Sequence, residues 1–462
     1  MSIFLDVLRS EGLAHLSYIL GQGREAVVID PRRDIGAYLD IADRRSMRIT
    51  RIFETHRNED YVIGSMELAR ATQARIYHGH AFAFAYGEPV QEGDSFDLGS
   101  LRLEILETPG HTDESISIVV KDTDFGNEPV AVFTGDTLFV GDVGRTDFFP
   151  DRKEEVAGLL YDSIFGKLLE LGDQTIIYPA HGAGSVCGSG MADREFSTIG
   201  YERRNNRSLQ VQDRQAFIRK KVAEHHYQSP YFRKMEEFNM NGTAPDVGVV
   251  RPPAPMAPDD FESAMDSGMQ VVDCRLPEAF AGAFIPGSLA IPLSLIPVYA
   301  GYFLDYDHAI GLIAHDVNEA KTAFTYLLRI GYDNVRGYLV DGLTSWETSG
   351  KKYDQIRAVH TGELVRRIQD GAAVTILDVR KQEEFDDAHL PGAQHVFLGH
   401  LMDRLDGIPK DKPVTTFCGS GTRAIVAASI LKQAGFDDVE DALGSIAACA
   451  SIGCPLESSG VE

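Results

Sequence analysis

The alternation of apolar and polar positions divides the chain into three stretches. In residues 1–240 short apolar runs recur at 26–30, 101–106, 116–120, 130–133 and 175–178. Their length and β-branched content predict strands. Apolar residues at helical spacing over 35–44 and 65–72 predict helices between some of them. The pattern breaks from Asn239 to Pro258, where an Asn-Gly pair and Arg251-Pro252-Pro253-Ala254-Pro255 predict a linker without regular structure. Beyond the linker the pattern repeats itself. Val271-Val272-Asp273-Cys274-Arg275 matches Ile376-Leu377-Asp378-Val379-Arg380, and Ile285-Pro286-Gly287 matches Leu390-Pro391-Gly392, at a shift of 105. Each unit alternates strand and helix, which predicts an α/β domain on a parallel sheet. The expected domains are 1–240, 257–355 and 357–462.

Composition narrows the partners. Lys and Arg number 44 against 69 Asp and Glu, a net charge of −25. A chain this acidic is a poor partner for nucleic acid or an anionic membrane, which both select clustered cations. No uncharged apolar run approaches the ~20 residues that cross a bilayer, and the N-terminus lacks the pattern of a signal peptide. Five cysteines, odd and sparse, argue against a disulfide framework. A soluble cytoplasmic protein is expected.

Four polar motifs in the first domain each follow an apolar run: Thr55-His56-Arg57-Asn58-Glu59-Asp60-Tyr61, Pro109-Gly110-His111-Thr112, Thr134-Gly135-Asp136-Thr137 and Tyr178-Pro179-Ala180-His181-Gly182. In this order they resemble the metal motifs of the metallo-β-lactamase-fold hydrolases, whose first loop reads T-H-x-H-x-D-H. The resemblance implies an αββα sandwich, two sheets with helices outside, and ligands on loops at one edge. Asn58 and Tyr61 stand where the second and third loop histidines would be. Each of the family's two zinc sites thereby loses a histidine. Asn58 is a weak neutral donor, and a phenol with a pKa near 10 stays protonated at neutral pH. A symmetric two-metal clamp is therefore not expected.

His56, His111 and Asp136 survive together. Two imidazoles and one carboxylate form the facial triad that suits a single non-haem Fe(II), and this is the ligand set of the persulfide dioxygenases within the superfamily. That resemblance implies one Fe(II) per chain, with Asp60 and His181 near the metal without binding it. They would orient ligands or move protons; Tyr61 lies beside them, with plain packing as its other reading. Gly141 to Asp147 resembles a dioxygenase segment in which Arg145 holds substrate or loop, or else pairs with Asp147. In the Gly-rich run after His181, Cys187 has two readings, a thiol near the iron that carries sulfane sulfur or a small buried residue. From Tyr201 to Lys221 seven Arg or Lys face Glu202 and Asp213. Such a patch suits the phosphates of a coenzyme A carrier, or is a solvated helix face.

The two C-terminal units carry the signatures of rhodanese domains: D-V-R, L-P-G-A and a cysteine loop. In the second, Val414-Thr415-Thr416-Phe417 predicts a buried strand that delivers Cys418-Gly419-Ser420-Gly421-Thr422-Arg423 to a helix N-terminus. Backbone N–H groups and the dipole there stabilise a thiolate and the persulfide formed on it. Arg423 closes a loop sized for sulfur and can hold anionic thiosulfate. In the first unit Ala314 takes the place of Cys418 and Glu319 that of Arg423, while Cys274 matches the strand residue Val379. A pseudo-rhodanese that supports the other domains is expected.

The whole chain resembles the persulfide dioxygenase–rhodanese fusions of bacterial sulfide detoxification. The resemblance implies Fe(II)-dependent oxidation of a thiol persulfide (of glutathione, coenzyme A, bacillithiol or a similar thiol) by O2 to sulfite and thiol. It also implies sulfurtransfer that makes or uses thiosulfate, and a homo-oligomer is expected. Two other readings remain: a zinc thioester hydrolase of glyoxalase II type, and a sulfur-relay protein whose metal domain is a remnant.

Overall fold

The structure is a computed structural model that describes residues 3–185, 190–247 and 251–459. It forms two compact units, 1–250 with 328–331 and 251–327 with 332–462. In the first unit six strands, β1 (Ile3–Ser10), β2 (His15–Gln22), β3 (Glu25–Ile29), β4 (Arg48–Phe53), β5 (Arg75–Gly79) and β6 (Glu88–Val90), form one sheet in chain order. A second sheet holds β7 (Ser95–Leu98), β8 (Leu101–Glu107), β9 (Ile116–Asp122), β10 (Pro129–Gly135), β11 (Ile176–Pro179) and β12 (Ser197–Thr198), in the order β12-β11-β10-β9-β8-β7.

Period-two alternation sorts the side chains. On β2 and β3, Leu16, Tyr18, Val27 and Ile29 face the second sheet's Leu103, Ile105, Ile118 and Phe133 in one core. Their neighbours Ile19, Ala26 and Val28 pack outward with Tyr38 and Leu68, from the helices Gly36–Arg44 and Ser65–Thr72. Val119 and Val132 likewise pack outward on Leu160 and Ile164, from the helix Lys153–Gly166, and on Phe217. The result is the expected αββα sandwich. The four polar motifs lie after β4, between β8 and β9, after β10 and after β11.

The second unit holds two five-stranded parallel sheets of the same strand order. The first is β13-β17-β16-β14-β15 and the second β18-β22-β21-β19-β20. Their ranges are β13 (Ala254–Met256), β14 (Gln270–Asp273), β15 (Leu289–Ala290), β16 (Ile310–Ile313) and β17 (Val335–Leu339), then β18 (Arg357–His360), β19 (Thr375–Asp378), β20 (Gln394–His395), β21 (Val414–Phe417) and β22 (Val439–Leu443). The repeat extends to single hydrogen bonds. Arg275 grips Asp273 at 2.6 Å and donates to the Ala283 carbonyl; Arg380 does the same with Asp378 at 2.6 Å and Ala388.

One expectation needs correction. The stretch from Asn239 to Pro258 is not without structure: Asn239 sits in the helix Phe232–Asn241, and Ala254–Met256 pairs in parallel with β17. A proline is tolerated there because β13 is an edge strand, where Pro255 need not donate to a second neighbour. One disulfide joins Cys449 and Cys454, five residues apart. So local a bridge is a clasp at the end of the helix Ser445–Ile452, not a framework. Among the described residues no helix is long and apolar enough to cross a membrane.

Candidate metal centre and sulfur loop

The metal loop is fixed before any ligand is considered. The Thr55 N–H and hydroxyl both donate to the buried Asp30 carboxylate, at 2.8 and 2.7 Å. With its proton given to Asp30, the Thr55 oxygen can only accept from His56 Nδ1, 2.9 Å away. This leaves the lone pair of His56 on Nε2. His111 is oriented the same way, because its Nδ1 lies 3.1 Å from the Arg145 carbonyl, which can only accept. Gly135 lets the end of β10 pass close by, at φ 51°, since a Cβ there would meet Thr55 Oγ1 at 2.7 Å.

Both Nε2 atoms point at one carboxylate oxygen. Asp136 Oδ2 is 3.8 Å from His56 Nε2 and 3.5 Å from His111 Nε2. All three atoms are buried and have no hydrogen-bond partner. Buried polar atoms without partners are costly unless something else satisfies them, so this donor set fits a divalent metal. Burial pushes the Asp136 carboxyl up, but His181, His56 and His111 outweigh it and hold the group far below the usual carboxylate range. Burial lowers His56 to about 4, which keeps its imidazole neutral, the form that binds metals.

The family's second position is arranged differently. His181 Nδ1 donates to Asp136 Oδ1 at 2.7 Å, and its Nε2 lies 3.0 Å from Asp60 Oδ2. Burial lowers the His181 pKa, yet Asp136 and Asp60 outweigh burial and raise it well above the ordinary value. Tyr61 stacks on the His15 ring, centroids 4.1 Å apart, and burial raises its phenol well above the ordinary pKa. The third histidine's replacement is thus a neutral packed ring. Asp60, Tyr61 and His181 surround the His56–His111–Asp136 cluster, and His181 orients the shared carboxylate.

One residue absent from the sequence expectation joins the cluster. Glu59 is fully buried with Oε1 3.0 Å from His111 Nε2, and the ligand atoms of His56, Glu59 and His111 all lie within 4.8 Å of one another. Asn58, by contrast, turns away. It adopts the left-handed conformation, φ 47°, which Asn tolerates, and donates its amide to the His56 carbonyl at 2.9 Å.

Asn239, placed in the linker by sequence, ties this loop down. The two hydrogens of its amide nitrogen are shared among the carbonyls of Arg57, Asn58 and Tyr61, at 2.9, 2.6 and 2.9 Å, and its oxygen accepts from the Ile63 N–H at 3.0 Å. Replacing Asn239 by Ala orphans buried backbone groups worth about 1–3 kcal/mol each. We expect a loss of about 3 kcal/mol or more, seen as a fall of the melting temperature by roughly 6–12 °C. A melting curve unchanged by Asn239→Ala would contradict this role.

In the second parallel sheet β21 delivers Cys418, which is buried, to the turn before the helix Thr422–Gln433. Its Sγ accepts the Gly421 N–H at 3.1 Å, Gly421 being at φ 104°. The loop is braced from behind: the Cys418 N–H donates to Ser445 Oγ at 3.0 Å, and the Cys418 and Gly419 carbonyls accept from Ile446 and Ala447. Ser420 and Thr422 share a hydroxyl contact at 3.3 Å. Arg423 is engaged by the protein itself, its fork closing on both Glu384 oxygens at 2.7 Å. Tyr299, buried and supplied by the other repeat, also faces Arg423: burial pushes its phenol up and Arg423 pulls it back.

The matching loop of the other repeat is filled by its own carboxylates. Asp316 Oδ1 accepts the Asn318 and Glu319 N–H groups at 2.7 and 2.9 Å, and Glu319 accepts the N–H of His315. Cys274 donates to the Ile313 carbonyl, and burial, with Glu319 and Asp273 nearby, raises its pKa well above the ordinary thiol value. It is an inert thiol.

The Metallo-beta-lactamase superfamily model matches residues 11–181, and the Rhodanese-like domain model matches 257–349 and 360–451. The crystal structure of a metallo-beta-lactamase from Staphylococcus aureus subsp. aureus COL superposes with a TM-score of 0.65 at 30% identity, covering 73% of this chain and 99% of that one. The chain belongs to the metallo-beta-lactamase superfamily. Two rhodanese-like domains follow its lactamase-fold domain. Persulfide dioxygenase ETHE1, mitochondrial, of Homo sapiens is 30% identical over 174 residues, which span 36% of this chain and 63% of that protein. Hydroxyacylglutathione hydrolase GloC of Haemophilus influenzae is 29% identical over 212 residues, 41% of this chain and 90% of that protein. These relatives imply a metal at the lactamase-fold centre.

Other expected site residues have the following places in the structure. Arg145 is buried with its guanidinium on both Asp147 oxygens at 2.6 Å, so the ion-pair reading describes its contact. Its part in the centre is the backbone carbonyl that orients His111. Cys187 lies outside the described residues. In the basic segment Arg203, Arg204, Arg214 and Lys221 are paired with Asp173, Asp162 and Glu224, which makes it a surface of local ion pairs.

Proposed function

We propose that the chain is an iron-dependent persulfide dioxygenase coupled to a sulfurtransferase. The observation that carries this reading is the convergence of two imidazole Nε2 atoms and one carboxylate oxygen on a single buried point, beside a second position that lacks its third ligand. The ETHE1 relatives support it. His56, His111 and Asp136 would hold Fe(II), one per chain. When bound, the ion supplies the redox chemistry that lets O2 react with the terminal sulfur of a persulfide. In balance, one persulfide, one O2 and one water give one thiol, one sulfite and two protons. The protein's own share is orientation. Thr55 and the Arg145 carbonyl fix the two rings, His181 fixes Asp136, and the packed wall of Tyr61 and His15 keeps water from that side.

In the sulfurtransferase the Cys418 thiolate attacks the sulfane sulfur of thiosulfate. The S–S bond breaks, sulfite leaves with its electron pair, and a Cys418 persulfide remains on the Gly421 N–H. The reverse step makes thiosulfate from sulfite. Arg423 meets an anionic donor only by sharing its fork with Glu384. The degenerate repeat supplies Tyr299 to that wall.

The test is metal content and O2 uptake on anaerobically purified, Fe(II)-loaded chain given the persulfides of glutathione, coenzyme A and bacillithiol. One iron per chain, persulfide-dependent O2 uptake and sulfite as product are expected. Two zinc ions per chain with thioester hydrolysis and no O2 uptake would replace this reading by the glyoxalase II one. A stoichiometric iron site without O2 uptake on any of these persulfides would favour a sulfur relay.

A further inference from the structure

We infer that Glu59 is a fourth protein ligand of the metal, so that the centre is a two-histidine, two-carboxylate set rather than a bare facial triad. This rests on the reading above that a divalent ion sits among His56, His111 and Asp136. It concerns a residue that the family loop motif leaves unspecified, T-H-x-H-x-D-H having an x at this position.

Three observations point the same way. First, Glu59 is fully buried, and its Oε1 comes to 3.0 Å from His111 Nε2, the atom that also faces Asp136 Oδ2. His111 gives its Nδ1 to the Arg145 carbonyl, so its Nε2 is the ring atom turned towards both Glu59 and Asp136. Second, the ligand atoms of His56, Glu59 and His111 fall within 4.8 Å of one another. That spread suits a first-row ion with bonds of about 2.0–2.2 Å, whose opposed ligands lie about 4.0–4.4 Å apart.

Third, the loop has a reason to offer residue 59 instead of 58. Asn58 is in the left-handed region with its amide turned back onto the His56 carbonyl, and Asn239 clamps the carbonyls of Arg57, Asn58 and Tyr61. The carboxylate next in the chain, Glu59, is therefore the one that reaches His111. The substitution is not only a loss. It exchanges a neutral donor for an anionic one, and two carboxylates balance the charge of a buried divalent ion. Four protein ligands leave fewer positions for substrate and O2 than the three left by a facial triad.

The experiment compares wild type, Glu59→Gln and Glu59→Ala as full chains, using Co(II) as the probe. Co(II) is titrated under anaerobic conditions against a chromophoric chelator, and its ligand-field absorption is recorded. Far-ultraviolet circular dichroism and melting curves check that each chain folds; the isosteric Gln variant carries the test if Ala does not. Groups that merely orient ligands are worth about 10–100-fold in metal affinity, so loss of a ligand should weaken Co(II) by at least about 100-fold. It should also change the position and intensity of the absorption bands in both variants. Variants that bind Co(II) as tightly as wild type, with the same spectrum, would show Glu59 to be no ligand while leaving the metal reading intact. A weakened affinity with an unchanged spectrum would also overturn the ligand, reducing Glu59 to a positioning residue for His111. A wild-type chain that takes up no Co(II) and no Fe(II) would overturn the metal reading itself.

Discussion

Alanine at His56, His111 or Asp136 should abolish stoichiometric metal binding and persulfide-dependent O2 uptake together. Each side chain offers one buried atom to the cluster. Rings that are oriented through Nδ1 by Thr55 and by the Arg145 carbonyl cannot swing a second atom into place. Loss of a ligand should exceed the ~10–100-fold cost of losing an orienting group, so affinity should fall by at least about 100-fold. His181→Asn is the internal comparison. It removes the hydrogen bond to Asp136 Oδ1 but leaves Oδ2 facing the two imidazoles, and should retain one metal per chain with weakened affinity. A second readout is independent of turnover: ions that bind only the folded chain raise its melting temperature by mass action. That rise should vanish in the three alanine variants and survive in His181→Asn. If any alanine variant kept its iron and its O2 uptake, or if His181→Asn behaved like the other three, the assignment of ligands would be wrong.

The parts of this centre that were legible in the sequence are those fixed by local pattern. Short apolar runs became strands because their side chains alternate between the two cores, and polar motifs after those runs had to lie on loops at strand ends. The duplicated Asp-x-Arg strand was legible because it is a local device: Arg275 and Arg380 each fold back on a carboxylate two residues away. What escaped depends on the third dimension. Nothing in Asn58-Glu59 signals that Asn58 turns left-handed, and only that turn brings Glu59 to His111. Asn239 acts on residues about 180 positions earlier. Its neighbourhood of Gly and Pro reads as linker, whereas the side chain is a four-bond clamp. Glu384 was missed for the same reason. It lies 39 positions before Arg423, and that guanidinium looked open for thiosulfate only as long as its tertiary partner was unseen.

The second large effect concerns sulfur transfer, and the two repeats supply their own control. Cys418→Ser should lower thiosulfate-to-thiol sulfurtransfer by at least roughly a thousandfold, the scale on which removal of a nucleophile acts. A serine hydroxyl at this position neither ionises at neutral pH nor forms a persulfide. O2 uptake on supplied persulfide should stay near the wild-type level, because His56, His111 and Asp136 are untouched. Adding Ala314→Cys to Cys418→Ser should restore almost nothing, although it places a thiol at the end of β16 where Cys418 follows β21. At Cys418 the Gly421 N–H is turned to the sulfur. Beyond Ala314 the N–H groups of Asn318 and Glu319 are given to Asp316 and that of His315 to Glu319. A thiolate there would face two carboxylates instead of backbone dipoles. The Cys274 thiol is raised first by burial and then by Glu319, one of those carboxylates. Thiosulfate-dependent persulfide on the protein, measured by alkylation and mass spectrometry, separates the outcomes. Label on Cys418 in wild type and none on the introduced thiol of the double variant is expected. Substantial persulfide on that introduced thiol would mean that the carboxylates do not disable the first repeat, and the division into one active and one supporting rhodanese-like domain would fail.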